Sequence, residues 1–251
     1  MKKIVLSLIA LTVLSACSSS DDNNNNPDTT TPLVSKIVET YEDGFVETLL
    51  LTYNGTKIVK SNWNNGEEVT EFTYTGDLIT KEEYFFDGEL EDVITYEYDT
   101  NQRLIKSTRV DSFGDIEIDL YTHNANGTIS FVTETNDELS ADGTIYFDSN
   151  GNPNKKEITT YFMGFESTEI ITVTYDNKNE PFKNVTGLDK ISFALPNYSA
   201  FEASLNNPLT INTNGVNNTT HTYTYNSNNF PATSTTVTTD FEGNYTTVFF
   251  Y

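Results

Sequence analysis

The chain has one cysteine, Cys17, and few positive charges: 14 Lys plus Arg stand against 37 Asp plus Glu, a formal net charge of −23 over 251 residues. A lone thiol excludes a disulfide framework, a thiolate metal site and a cysteine nucleophile beyond the N-terminal segment. The acidic excess repels phosphate backbones and anionic lipid headgroups, which excludes nucleic acid as a partner. Hydrophobic residues make up 36%, below the roughly 45–50% of ordinary globular domains, so the core must be thin or strongly aromatic. The abundant residues favour strands: 15 Tyr, 16 Phe and 39 Thr. They predict an all-β protein. One elongated domain is the simpler reading of this length.

Residues 1–16 have the form of an export signal, with basic Lys2 and Lys3, an apolar stretch from Ile4 to Val13 too short to span a bilayer, and small residues before Cys17. Leu14, Ser15, Ala16 and Cys17 resemble the lipobox of bacterial lipoproteins. That resemblance implies that Cys17 is acylated and becomes the first residue of the mature protein. Residues 17–32 (serines, Asp21, Asp22, an asparagine run, threonines and two prolines) offer no apolar side chain to bury beyond the prolines and read as a disordered tether. The serine run leading into acids resembles the display signal of Bacteroidetes-type surface lipoproteins. It implies an outer membrane lipoprotein facing the cell exterior and held there by its lipid.

From residue 33 to 251 two kinds of turn alternate. One carries glycine, as in Asp43-Gly44, Asn65-Gly66, Asp87-Gly88, Phe113-Gly114, Met163-Gly164 and Asn214-Gly215. The other follows an aromatic or histidine: Tyr53, Tyr74, Tyr98, His123, Phe147, Tyr175 and Tyr225. One strand fits each interval between them, and Asn136-Asp137 serves as the turn where Gly143 sits too close to Phe147, leaving Asp142-Gly143 as a bulge. Between turns, side chains alternate with period two, as at Phe72 and Tyr74 or Tyr96 and Tyr98, with polar residues between. The expected fold is a long antiparallel β-meander of about 15 strands built from hairpin repeats, strongly coiled or partly closed around an aromatic interior. One insertion, at about 181–213, breaks the rhythm. It reads as a loop with a short helix near 198–205 that covers an end of the sheet.

The turns at Tyr98-Asp99, Tyr175-Asp176 and Phe147-Asp148 resemble the Tyr-Asp repeat of RHS-type proteins, and the layout is similar to that of uncharacterised Bacteroidetes lipoproteins built from such repeats. The resemblance covers about Ser35 to Tyr251 and implies a long antiparallel sheet wound into a shell. The chain ends Phe249-Phe250-Tyr251, as outer-membrane barrels do, but its Thr-, Glu- and Lys-bearing faces are too polar to meet lipid.

Chemistry is sparse in this sequence. His123 and His221 occupy aromatic positions of the repeat and have no paired nucleophile. Asp111, Asp115, Glu117 and Asp119 form the densest acidic group, of which the last three share one strand face, but a straight strand cannot wrap calcium. No phosphate-cradling glycine loop or HExxH motif is present, so no cofactor, metal or catalytic residue is expected. Trp63, Tyr84 and Phe85, near the Asn65 and Gly88 turns, are candidates for a sugar-stacking patch, although strand aromatics more often form core. The expected function is a lipid-anchored surface module for binding or scaffolding, without catalysis and with an unknown, glycan-type extracellular ligand. The alternative is a hydrolase of extracellular polymers using two carboxylates.

Overall fold

Alternating β-branched, aromatic and polar side chains form the strands, and residues at positive φ form the turns between them. The computed structural model describes residues 31–194, 205–239 and 243–251, within a unit spanning Thr31–Tyr251. The first eight strands are β1 (Lys36–Tyr41), β2 (Val46–Asn54), β3 (Lys57–Trp63), β4 (Glu68–Thr75), β5 (Leu78–Phe86), β6 (Glu89–Tyr98), β7 (Leu104–Asp111) and β8 (Ile116–His123). They are followed by β9 (Ile129–Thr135), β10 (Glu138–Phe147), β11 (Pro153–Phe162), β12 (Phe165–Tyr175), β13 (Pro208–Thr213), β14 (Val216–Tyr225), β15 (Pro231–Thr238) and β16 (Tyr245–Phe250).

Each strand runs antiparallel to its sequence neighbour, and β1 pairs with β16, placing Ile37 opposite Phe249, so the sheet is a closed barrel. The all-β antiparallel meander read from the sequence is present, and the structure goes further than a coiled or partly closed sheet of about 15 strands, closing it fully with sixteen. Closure removes both unpaired edges, and sixteen twisted strands exceed what an open sheet usually carries. The additional strand is β13, which the sequence reading places inside the insertion; the insertion instead ends at Asn207. The helix expected near 198–205 lies outside the described residues except for Leu205, as do residues 1–16, Cys17 and most of the tether.

The first kind of glycine turn (Gly44, Gly66, Gly88, Gly114, Gly164, Gly215 and Gly243) lies at one end of the barrel with the Asn136-Asp137 turn, whereas Gly55, Gly76, Gly127 and Gly151 sit in turns at the other. Asp87 (φ 48) and Gly88 (φ 84) are both left-handed, as a type I′ hairpin requires. Gly88→Val puts a β-branched residue at positive φ and is expected to cost more than about 1 kcal/mol. An unchanged urea midpoint would show that the turn does not need glycine. The Asn136-Asp137 turn forms as expected, but the bulge in β10 falls between Leu139 and Ala141, not at Gly143.

At the other end, the repeat aromatics bond the backbone of the wall. Tyr53 Oη donates to the Val34 carbonyl at 2.8 Å, Tyr98 Oη to Ile79 at 2.5 Å and Tyr175 Oη to Pro153 at 2.7 Å. Each of these tyrosines sits at a register skip in the ladder. His123 takes the same place in its own repeat, with Nε2 2.8 Å from the Leu104 carbonyl.

A barrel of about eight strands fills itself with side chains, whereas one of sixteen leaves an aqueous lumen. At the repeat-aromatic end that lumen is filled by residues 180–194, which follow β12. Phe182, Val185, Leu188 and Ile191 are buried there in one cluster with the inward residues Leu49, Ile58, Ile79, Leu104, Ile129 and Ile145. Each such side chain is worth roughly 1.5–3 kcal/mol when taken out of water. Polar contacts pin the plug to the wall: Thr186 N to the Thr56 carbonyl (2.9 Å), Tyr74 Oη to the Thr186 carbonyl (3.1 Å) and Asn184 Nδ2 to the Pro32 carbonyl (2.9 Å). Short 3-10 turns at Leu188–Lys190 and Ser192–Ala194 shape it. The insertion thus covers an end of the barrel, there being no sheet edge to cover.

Candidate functional site: the open lumen

Because side chains alternate across a strand, register assigns each residue to a wall face. On β2, Glu47, Leu49, Leu51 and Tyr53 face inward while Val46, Leu50 and Thr52 face out. Toward the plug the inward face is dry: Ile58, Ile79 and Leu104 are 0% exposed. Toward the glycine turns it is wet, and every residue of β12 from Phe165 to Ile170 is exposed whichever face it occupies. The barrel is a cup, closed by the plug at one end and open at the hairpin end.

The lumen is acidic. Glu47 accepts from Tyr41 Oη at 2.8 Å and from Asn64 Nδ2 at 3.1 Å. Asp119 accepts from Ser107 Oγ at 2.9 Å and Thr133 Oγ1 at 2.6 Å. These donors satisfy the carboxylate lone pairs without cancelling the charge. Arg109 pairs with Asp92 at 2.8 Å. Burial, reinforced by Asp119, raises the Glu117 carboxyl above its ordinary range. The outer wall differs, since four of its acids are paired with lysines: Lys60 with Glu71 (3.2 Å), Lys81 with Glu83 (2.7 Å), Lys106 with Glu97 (3.0 Å) and Lys155 with Glu157 (2.5 Å). Much of the scarce positive charge is therefore used outside, and the inside keeps its negative field. At the mouth, Tyr41, Glu42, Asp43, Phe45, Glu47, Gly243 and Asn244 line a cleft of about 500 Å³. Tyr41 packs there between Phe45 and Tyr245, at ring separations of 5.9 and 5.4 Å.

The residues singled out from the sequence separate. Trp63, opposite Leu49 and Glu68, faces inward near the mouth. Tyr84 also faces inward, and burial with nearby Glu68 pushes its phenol up to about 12. Phe85 faces outward between Val69 and Leu90. The three do not form one sugar-stacking patch, because Tyr84 and Phe85 are consecutive residues of one strand. Asp111 and Asp115 brace hairpin turns, Asp111 holding the backbone NH groups of Phe113 and Asp115, while Glu117 and Asp119 face the lumen. Among the described residues no group of three or more His, Cys, Asp or Glu side chains comes together as a metal site. His221 Nδ1 lies 2.9 Å from Thr236 Oγ1, and burial lowers its pKa to about 4, so it is neutral at physiological pH.

Sequence reasoning missed Tyr41, Glu47 and Arg109 as lumen residues. Their signal was phase: Glu47 stands two and four residues before the buried Leu49 and Leu51. Phase alone does not say that an inward position is wet.

The class these features define is a plugged antiparallel β-barrel with a wet, acidic cup. No protein-family model matches the chain, and no curated protein sequence matches it. Solved structures do. A porin-like protein from Bacteroides uniformis aligns with a TM-score of 0.54 at 15% identity, over 88% of this chain and 98% of that one. A porin-like protein from Bacteroides vulgatus aligns with a TM-score of 0.50 at 14% identity, with the same coverage. At such identities the likeness is one of fold.

Proposed function

We propose that this protein is a lipid-anchored binding cup displayed on the outer membrane, which takes an extracellular ligand into the lumen through the hairpin end and has no catalytic role. The observation that carries this reading is the asymmetry of the barrel. A plug of fully buried Leu188 and Ile191 fills one end, and the wall is wet on both faces at the other. Such a vessel suits binding better than passage. The outer wall supports an anchor in place of membrane insertion, because Lys60, Glu71, Lys81 and Glu83 point outward. A lysine on a lipid-facing barrel wall costs roughly 2–4 kcal/mol at the bilayer midplane. The chain enters the barrel at the plugged end, where Asn184 holds Pro32. Both histidines brace the wall, and Glu47 and Asp119 are held by neighbouring donors, so no observation favours the carboxylate hydrolase.

Cys17→Ala is expected to leave the precursor unprocessed or to release the protein from the membrane fraction, because acylation and signal cleavage both need the thiol. Protease added to intact cells should degrade the wild type. A wild type that fractionates as soluble, or that resists external protease while a periplasmic control also survives, would refute anchoring at the surface.

A further inference from the structure

The mouth carries apolar side chains that the fold does not bury. Phe45 (56% exposed), Phe113 (90%), Phe162 (71%), Met163 (82%), Phe165 (78%) and Val216 (62%) all lie at or beside glycine turns of the open end. Turn chemistry does not ask for them. Met163 holds φ 49, a conformation that among the described residues otherwise falls, outside glycine, to Asn, Asp and Gln, and which is unfavourable for a bulky apolar side chain without a local hydrogen bond. These exposed apolar groups stand on four turns spaced around one rim, where large exposed apolar side chains mark an interaction surface.

Charge decides what fits there. Inside the rim stand Glu47, Glu68, Glu117, Asp119 and Glu169, with Arg109 already paired to Asp92. An acidic mouth on a chain of net charge −23 repels an anionic membrane surface, and neutral sugar would leave its field unused. The barrel has no free edge, so a partner cannot add a strand and must be read through side chains.

From this complementarity we infer that the mouth docks a basic polypeptide segment that also bears apolar side chains, its Lys or Arg residues entering the acidic lumen and its apolar residues covering the rim. This rests on the binding-cup reading and names the ligand class for it. Trp63, the single tryptophan, faces the lumen near the mouth and is a built-in reporter.

The test titrates the purified full-length protein with an alternating Lys-Leu peptide, its Glu-Leu counterpart, an oligolysine and a neutral oligosaccharide, following Trp63 emission and heat. The Lys-Leu peptide should bind at least about tenfold more tightly than the other three, a gap of about 1.4 kcal/mol. Its affinity should fall with added salt. Phe113→Ser with Phe165→Ser should weaken it at least about fivefold, and Glu71→Gln on the outer wall should leave it unchanged. Oligolysine binding as well as Lys-Leu, or insensitivity to the rim pair, would overturn the proposed docking. Preference for the oligosaccharide would overturn the ligand class while keeping the cup, and silence from all four probes would count against both.

Discussion

Gly143→Ala is expected to destabilise the barrel by about 3 kcal/mol, at the upper end of what overpacking usually costs. Gly143 faces inward on β10, opposite Phe131 of β9 and Ile158 of β11. A Cβ there would overlap the Glu157 carbonyl oxygen and come within 2.6 Å of Cε1 and Cζ of the Phe131 ring. The carbonyl belongs to the β-ladder and cannot swing aside, so two strands would have to part or the ring leave its place. A lower urea midpoint with an unchanged slope is the expected readout. Removing the ring as well makes the diagnosis: Phe131→Ala costs roughly 3–5 kcal/mol alone, and the double variant should cost less than the sum, because the ring's share of the clash is gone while the carbonyl's remains. Strict additivity would mean that ring and glycine are not opposed.

Glu82→Gln is expected to stabilise the protein by about 2–3 kcal/mol near pH 8 and by nothing near pH 4. Glu82 is buried among inward aromatics, and Tyr96 Oη donates to its Oε1 at 3.0 Å. Burial pushes its carboxyl up to about 7 from an ordinary 4.5, against the opposing effect of the Tyr96 hydrogen bond. The folded state thus holds the proton more tightly than the unfolded one. Stability is greatest below about 4.5, falls as pH rises toward 7, and above that pH the whole cost of an ionised buried group is incurred, about 3 kcal/mol for a difference of this size. Glutamine cannot ionise, and its amide oxygen can still accept from Tyr96. His221, held down at about 4 by burial, changes stability in the opposite direction between pH 4 and 6.5. It is present in both proteins and cancels in their difference. Urea midpoints of the pair at three pH values check this, and a difference that does not change with pH would reject it.

Local features of the barrel were legible in the sequence because they are set by neighbours along the chain. Positive φ at Asp87, Gly88, Asn136 and Asp137 follows from residue type. The inward phase of Phe72, Tyr74, Tyr96 and Tyr98 follows from the two-residue period, and His123 could be placed as a stand-in for tyrosine by its position in the repeat. Missed features required distances between residues far apart in sequence. Whether β1 finds β16 depends on twist summed over sixteen strands. The extra strand β13 was hidden because Pro208-Leu209 follows directly on the plug, and the bulge was assigned to Gly143 because a glycine in a strand suggests either irregularity or close approach; the structure shows close approach.

The sequence by itself determined an all-β chain, most of its hairpins and the shared face of residues such as Phe72 and Tyr74, since these depend on propensity and on a period of two. Only the tertiary structure decided that the sheet closes, that the segment after β12 fills one end, and that inward acids such as Glu47 and Asp119 line water while Glu82 is buried. The diameter of the barrel and the depth of the plug separate those environments, and both arise from contacts across the lumen that no local pattern encodes.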